Sequence, residues 1–377
     1  MVAGVIVALV SVEGVLRVGF DGKFAPRPEF CVSDQYLGWK TAPNLDHTFF
    51  GPDFRIKIKT DVDGYRLGAL GEVDYGKELV VLLGDSNAFG WGVSTDETFA
   101  SFLDERLFEA SGGELRLVNL GVAGYGTFQS AHRFKEFLKG HPGARISAIV
   151  FVHSKNDPTD NLRTMGYQLG LWKVKSREPK ERSRIHIMNL IAYGREVLRQ
   201  KEIAEEHVPE DIDEIHPYLQ DMLFTHEIDS PKAIPTQIDF DGIVVDFENL
   251  SREDSSPERM LRRENLTQIQ RDVLRVAIRS VYLLAKGRAD TIFHFVIPNA
   301  PDWIEPEFLA VFDSTPVPDG INVQAIGQYP QIEGYGKNVL NQHSGGHYTP
   351  EFNEFWAEAI MDVLVKKKVV MSSNPRD

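Results

Sequence analysis

One unbroken apolar run, 79–83 (LVVLL), most constrains what this chain can fold into, and three further strand-like stretches follow it: 115–120 (LRLVNL), 146–152 (ISAIVFV) and 291–297 (TIFHFVI). A strand covered on both faces reads as a continuous apolar run rather than as an alternation. Helical patterns separate the runs. Ser94 and Glu97 have capping-box spacing, and Phe99, Phe102, Leu103 and Leu107 follow at helical intervals, which predicts a helix starting near Ser94. Further helices are expected around 127–139 and over 264–286. A last one begins at Thr349-Pro350, an N-cap followed by proline at the first helical position. GINVQAI at 320–326 supplies a fifth strand. Strands alternating with helices predict a parallel sheet covered on both faces. The expected class is α/β: three layers, α/β/α, around a central parallel sheet of about five strands. Charged runs such as KVKSREPKERSR interrupt the rhythm over about 158–263, where a mainly helical insertion is expected.

The flanks divide the chain further. Residues 1–21 are apolar from Val2 to Val12, with no basic leader and no small-residue cleavage site. The run is shorter than the roughly 20 residues that span a bilayer. We read it as an N-terminal hydrophobic anchor or signal remnant, which implies membrane association and a membrane-anchored or extracytoplasmic location; a buried amphipathic helix is the alternative. Residues 22–78 are expected to be a linker (FDGKFAPRPEF) and a short β-rich lead-in, followed by the main domain over 79–370. In the lead-in, Phe54, Ile56 and Ile58 alternate with Arg55, Lys57 and Lys59, the signature of a half-buried strand. The following DVDGYR lacks the further acidic ligands of a calcium loop. The net charge of −14, without a basic patch, argues against a nucleic-acid partner. The single cysteine, Cys31, allows neither an intrachain disulfide nor a cysteine-based metal site. No cofactor and no metal are expected.

Ligands of parallel α/β sheets bind at the carboxyl ends of the strands. Three loops leaving such ends carry polar or glycine residues: Gly84-Asp85-Ser86, then NLGVAGYG with Asn119, Gly121 and Gly124, then HSKNDPTDN with Asn156 and Asp157. Far along the chain, GGHYTP places His347 just before a helix N-cap. These parts suit ester chemistry. A serine becomes nucleophilic when a base within hydrogen-bond reach takes its proton, and His347 can be that base for Ser86. The tetrahedral intermediate needs donors, which the Ser86 N–H, the Gly124 N–H and the Asn156 side-chain amide can supply. Asp85 is expected to brace the loop rather than to react. His153 and His343 are expected to be bystanders, and Phe89 or Trp91 to wall an acyl pocket.

With these blocks in order, the chain resembles the SGNH (GDSL-like) hydrolase superfamily, and a bacterial membrane-anchored type within it. GDS at 84–86, the glycine at 124, the Asn-Asp at 156–157 and the histidine at 347 match the four blocks in sequence and spacing. The resemblance covers about 79–161 and 290–365. It implies a flavodoxin-like fold, a Ser86 acyl-enzyme, and carbohydrate, lipid or small acyl ester substrates. Two departures matter: the glycine common before x-Asn-Asp is Ser154 here, the milder change, and the family usually has an aspartate three residues before the histidine, where this chain has Ser344. Ser344 or a backbone carbonyl would then orient the imidazole. Two alternatives stay open: a catalytically degenerate glycan-binding or assembly module, and an acetyltransferase to a glycan. A metal-dependent phosphatase built on Asp85 is disfavoured, because the position two residues on is Asn87 and not a second acid.

Overall fold

The computed structural model describes residues 2–19, 30–34, 37–50, 55–168, 187–188, 190–191, 237–240, 242–246, 265–329, 340–341 and 347–370. In chain order the elements are α1 (Val2–Gly19), β1 (Cys31–Asp34), β2 (Gly38–Thr41), β3 (Asp46–Phe50), β4 (Arg55–Lys59), β5 (Glu78–Leu83), α2 (Ser86–Phe89), α3 (Phe99–Ala110), β6 (Leu115–Asn119), α4 (Thr127–Gly140) and β7 (Arg145–His153). They continue as α5 (Asp157–Gln168), β8 (Gln237–Phe240), β9 (Ile243–Asp246), α6 (Gln268–Ala285), β10 (Thr291–Val296), α7 (Ile304–Ser314), β11 (Asn322–Gln328), β12 (Leu340–Asn341), β13 (His347–Tyr348) and α8 (Pro350–Lys366).

The apolar runs become one parallel sheet of five strands, in the order β11-β10-β7-β5-β6. Leu79 to Leu83 and Ile149 to Val152 are fully buried, which accounts for their unbroken apolar character. Each such side chain contributes about 1.5–3 kcal/mol by leaving water. Helices α3 and α8 pack on each other, with Phe99 and Trp356 rings 4.4 Å apart. Helices α4, α5 and α6 pack together as another layer. The chain moves outward from β5 to β6, then crosses back to β7, β10 and β11. The direction therefore reverses between β5 and β7. That reversal is the topological switch point of a doubly wound sheet, where a crevice opens beyond the strands' carboxyl ends.

Two local features differ from the sequence pattern. Ser94 and Glu97 do pair, the Ser94 N–H donating to the Glu97 carboxylate at 2.9 Å, but they close only a 3₁₀ turn. The α-helix starts at Phe99, because Thr98 is extended (φ −81°, ψ 149°) and its hydroxyl caps the Ser101 N–H at 3.0 Å. The Ser94 hydroxyl also accepts the Lys57 N–H at 3.2 Å. Within 158–263, α5 still belongs to the sheet's helical layer, and β8 and β9 form an antiparallel hairpin against α6 where helices were expected. Residues 169–186, 189, 192–236, 241 and 247–263 of that insertion, the linker at 20–29 and Phe54 lie outside the described residues.

The lead-in folds onto the main domain. In β4, Ile56 and Ile58 are buried while Arg55 and Lys57 are exposed. Phe30, Cys31, Leu37, Trp39, Ile56 and Ile58 form one apolar cluster with Phe89 at the end of α2 and with Val122 and Tyr125 on the loop after β6. Among the described residues no helix is long and apolar enough to cross a membrane.

Candidate active site

Strand β5 delivers Ser86 through a turn that only glycine fits. Gly84 has φ +148°, and a Cβ there would lie 2.8 Å from both the Val152 carbonyl oxygen and the Ala88 methyl. Asp85 then caps α2: its Oδ1 accepts the Asn87 N–H at 2.9 Å and the Asn87 amide at 3.2 Å. Ser86 opens the helix, so its own N–H lies in the first turn, where no intrahelical acceptor exists. The Asn87 amide also donates to the Ser154 hydroxyl at 2.8 Å, tying the nucleophile loop to the loop after β7.

His347 arrives from 261 positions away, with its Nε2 2.7 Å from the Ser86 Oγ. Its neighbours fix it: Tyr348 is buried and donates its hydroxyl to the Asn299 side chain at 2.9 Å, and the Thr349 hydroxyl caps α8 at the Phe352 N–H, 3.3 Å away. The Ser86 hydroxyl has a second acceptor, Asp85 Oδ2, at the longer distance of 3.3 Å. An imidazole carrying its proton on Nδ1 presents a lone pair on Nε2, the state in which it accepts from Ser86.

Asn156 ends the loop after β7, on the other side of the switch point. Its amide donates to Asp160 at 2.7 Å and reaches Asp85 Oδ2 at 3.4 Å. Ser86 and Asn156 therefore contact the same carboxylate oxygen. Gly124 lies on the loop after β6, at φ +81°. That loop is bound to the nucleophile turn by Leu120 N–H to Leu82 O (2.9 Å), Val122 N–H to Gly84 O (3.3 Å) and the Asn119 amide to Ala88 O (2.8 Å). Gly121 packs so closely that a Cβ would sit 2.6 Å from the Phe89 nitrogen. The Gly124 N–H has no acceptor among the described residues. Ser344 and His343 lie outside those residues.

A shallow, open depression touches the pair, lined by Ser86, Asn87, Gly90, Trp91, His347, Tyr348 and Asn353. Of the two expected aromatics, Trp91 lines it. Phe89 is buried in the core and stacks on Phe30 with ring centroids 5.4 Å apart. Three supporting residues escaped the sequence reading: Asn87, Trp39 and Arg66. The buried Arg66 donates to the Gly90 and Val93 carbonyls at 2.9 and 2.7 Å and lies 4.5 Å over the Phe89 ring. Burial lowers its pKa to about 9. No spacing or motif distinguishes these side chains from ordinary lead-in or turn residues.

Behind the site, a chain of buried polar groups crosses the sheet. His153 Nε2 meets His294 Nδ1 at 2.9 Å, His294 Nε2 meets the Tyr282 hydroxyl at 2.9 Å, and His153 Nδ1 lies 3.3 Å from Asp157. Burial depresses both imidazoles, His294 to about 3, and His294 lowers His153 further. Burial, then the charges of Asp85 and Asp160, raise Asp157 well above the usual carboxyl range. Both rings are thus neutral at neutral pH, and His153 pairs with His294 inside the sheet. Among the described residues no group of three or more His, Cys, Asp or Glu side chains is placed to hold a metal.

No protein-family model matches the chain, and no curated protein matches it. A solved structure similar to it is LAE5, an alpha/beta hydrolase enzyme from the metagenome of Lake Arreo, Spain. The two share 14% identity over 42% of this chain and 88% of that one, with a TM-score of 0.18, a likeness too slight to bear on the site.

Proposed function

We propose that this chain is a serine ester hydrolase of the SGNH type. The observation that carries the proposal is the 2.7 Å contact between Ser86 Oγ and His347 Nε2 at the switch point of the sheet. Ser86 Oγ attacks the ester carbonyl carbon while its proton passes to His347 Nε2. The carbonyl oxygen becomes an oxyanion, held by the Ser86 and Gly124 N–H groups and the Asn156 amide. Collapse breaks the bond to the alcohol oxygen, which leaves with the proton from His347. Water then attacks the acyl-serine, gives its proton to His347, and the acid departs as Ser86 recovers its hydrogen.

The shallow, open depression suits a small acyl group on a bulky alcohol, such as an acylated glycan. An acceptor hydroxyl replacing water would make the same machinery an acetyltransferase. The N-terminal helix is proposed to hold the enzyme at a membrane surface, since Leu9, Val10, Val12, Val15 and Val18 are all exposed on it. Ser344 in place of the usual aspartate favours a second reading, a glycan-binding module without turnover.

A fluorophosphonate probe separates the two. Labelling at Ser86, read by mass spectrometry, is expected in the native chain and absent in Ser86→Ala. Hydrolysis of p-nitrophenyl acetate should fall by about 10³-fold or more in that variant. Folded protein that binds glycans and leaves the probe unreacted is the binding module.

A further inference from the structure

The lead-in reaches one backbone amide of the site directly. Trp39, on β2, donates its indole Nε1–H to the Ala123 carbonyl at 3.1 Å. That carbonyl belongs to the same peptide unit as the Gly124 N–H. A trans peptide is planar, so its C=O and N–H point in opposite directions. Holding the oxygen on one side therefore aims the hydrogen on the other.

The unit needs holding. Gly124 sits at φ +81°, and glycine crosses easily between positive and negative φ, so the Ala123–Gly124 peptide can rotate as a plate between its flanking Cα atoms. Trp39 is itself clamped. The Tyr125 hydroxyl donates to the Trp39 carbonyl at 2.6 Å, the Gln129 amide donates to the Leu37 carbonyl at 2.8 Å, and the Trp39 and Tyr125 rings meet edge to face at 5.8 Å. Trp39 is nearly buried, with an exposure of 9%. A hydrogen bond to the carbonyl also polarises the amide, which strengthens its N–H as a donor.

We infer that Trp39 is a positioning residue for the oxyanion hole: its indole N–H locks the Ala123–Gly124 peptide so that the Gly124 N–H faces the developing oxyanion. The inference rests on the ester-hydrolase proposal. It makes the lead-in a working part of the site and not merely a spacer before the domain.

The test compares the full-length native chain with Trp39→Phe, which keeps an aromatic ring and removes the donor. The readouts are p-nitrophenyl acetate kinetics, the rate of phosphonylation by a fluorophosphonate, and Tm. Expected are a kcat about tenfold lower, an unchanged KM, slower phosphonylation and a native-like Tm. Outright removal of an oxyanion donor costs more, about 10²–10³-fold. If Trp39→Phe folds poorly, benzothienylalanine at position 39 keeps the bicyclic shape and replaces the N–H with sulfur; it should show the same kcat loss. Native kcat in a folded variant overturns the inference and leaves the hydrolase proposal standing. So does a loss confined to KM or Tm. No turnover and no labelling by the native chain overturns both.

Discussion

Gly84 shows how little freedom the nucleophile turn has. Its φ of +148° and the two 2.8 Å approaches leave no room for a methyl group, and one neighbour is the Val152 carbonyl, which belongs to strand β7 and cannot move aside. Gly84→Ala should therefore lose about 1–3 kcal/mol of stability from backbone strain alone, measured by urea denaturation. A native midpoint would show that the turn has another way to form. Asp85 beside it has a distinct task. Its two oxygens serve the Asn87 N–H and approach both the Ser86 hydroxyl and the Asn156 amide, so it organises the site without holding the serine's closest contact. Ser154 has a defined use too, accepting the Asn87 amide.

Among the elements, the two lead-in hairpins are the ones whose part in the site is least expected from their length. Arg66, just after β4, ties the segment to the turn that follows α2 by bonds to the Gly90 and Val93 carbonyls. Hydrogen bonds from a charged group to buried carbonyls are each worth about 1.5–3 kcal/mol. Phe30 and Phe49 back Trp91 with ring centroids 5.2 and 5.4 Å away, so the wall of the depression is built from both segments. The α1 helix is the opposite kind of element. Five large apolar side chains are exposed along it, while Arg17 pairs with Glu13 at 3.1 Å and Glu13 also accepts the Ile187 N–H at 3.0 Å. Full-length protein is expected to float with liposomes and a version starting at residue 22 to stay in the dense fraction. Equal behaviour of the two would remove α1 from the membrane proposal.

For the whole molecule, the buried histidine pair links stability to pH. His294 is held near 3 in the folded chain against an ordinary value of 6.5, and His153 is lowered as well, both by burial first. Below about 6.5 the unfolded chain takes up protons that the folded one refuses, so stability is full above that pH and falls as the medium is acidified toward 3. Asp157 works in the other direction: raised above its ordinary 3.8 by burial, it favours folding at low pH and loses that contribution as pH rises through its folded value. Replacing His294 with Gln, which hydrogen-bonds without titrating, isolates the imidazole. Between pH 6.5 and 4 the slope of unfolding free energy against pH should flatten by about 1 kcal/mol per pH unit. An unchanged slope would mean that His294 is protonated in the folded chain.

The sequence by itself determined the sheet. Buried strands need mainly apolar stretches and covering helices an apolar stripe, and those patterns are local, so five strands, the last helix with its Thr349-Pro350 start, and the polar loops bearing Ser86, Gly124 and Asn156 were all legible. Ser86 and His347 were legible as a pair only through the order of their motifs, since nothing local draws together side chains 261 positions apart. Tertiary structure alone decided the rest. Ahead of helix α3 the Ser94 hydroxyl accepts an N–H from a strand of the lead-in, and the α-helix starts only at Phe99. His153, beside a candidate loop, turned inward to a second histidine on β10. Trp39 and Arg66 acquired their roles only when β2 and the segment after β4 closed on loops more than twenty residues away in sequence, where an indole N–H and a guanidinium found backbone carbonyls to bond.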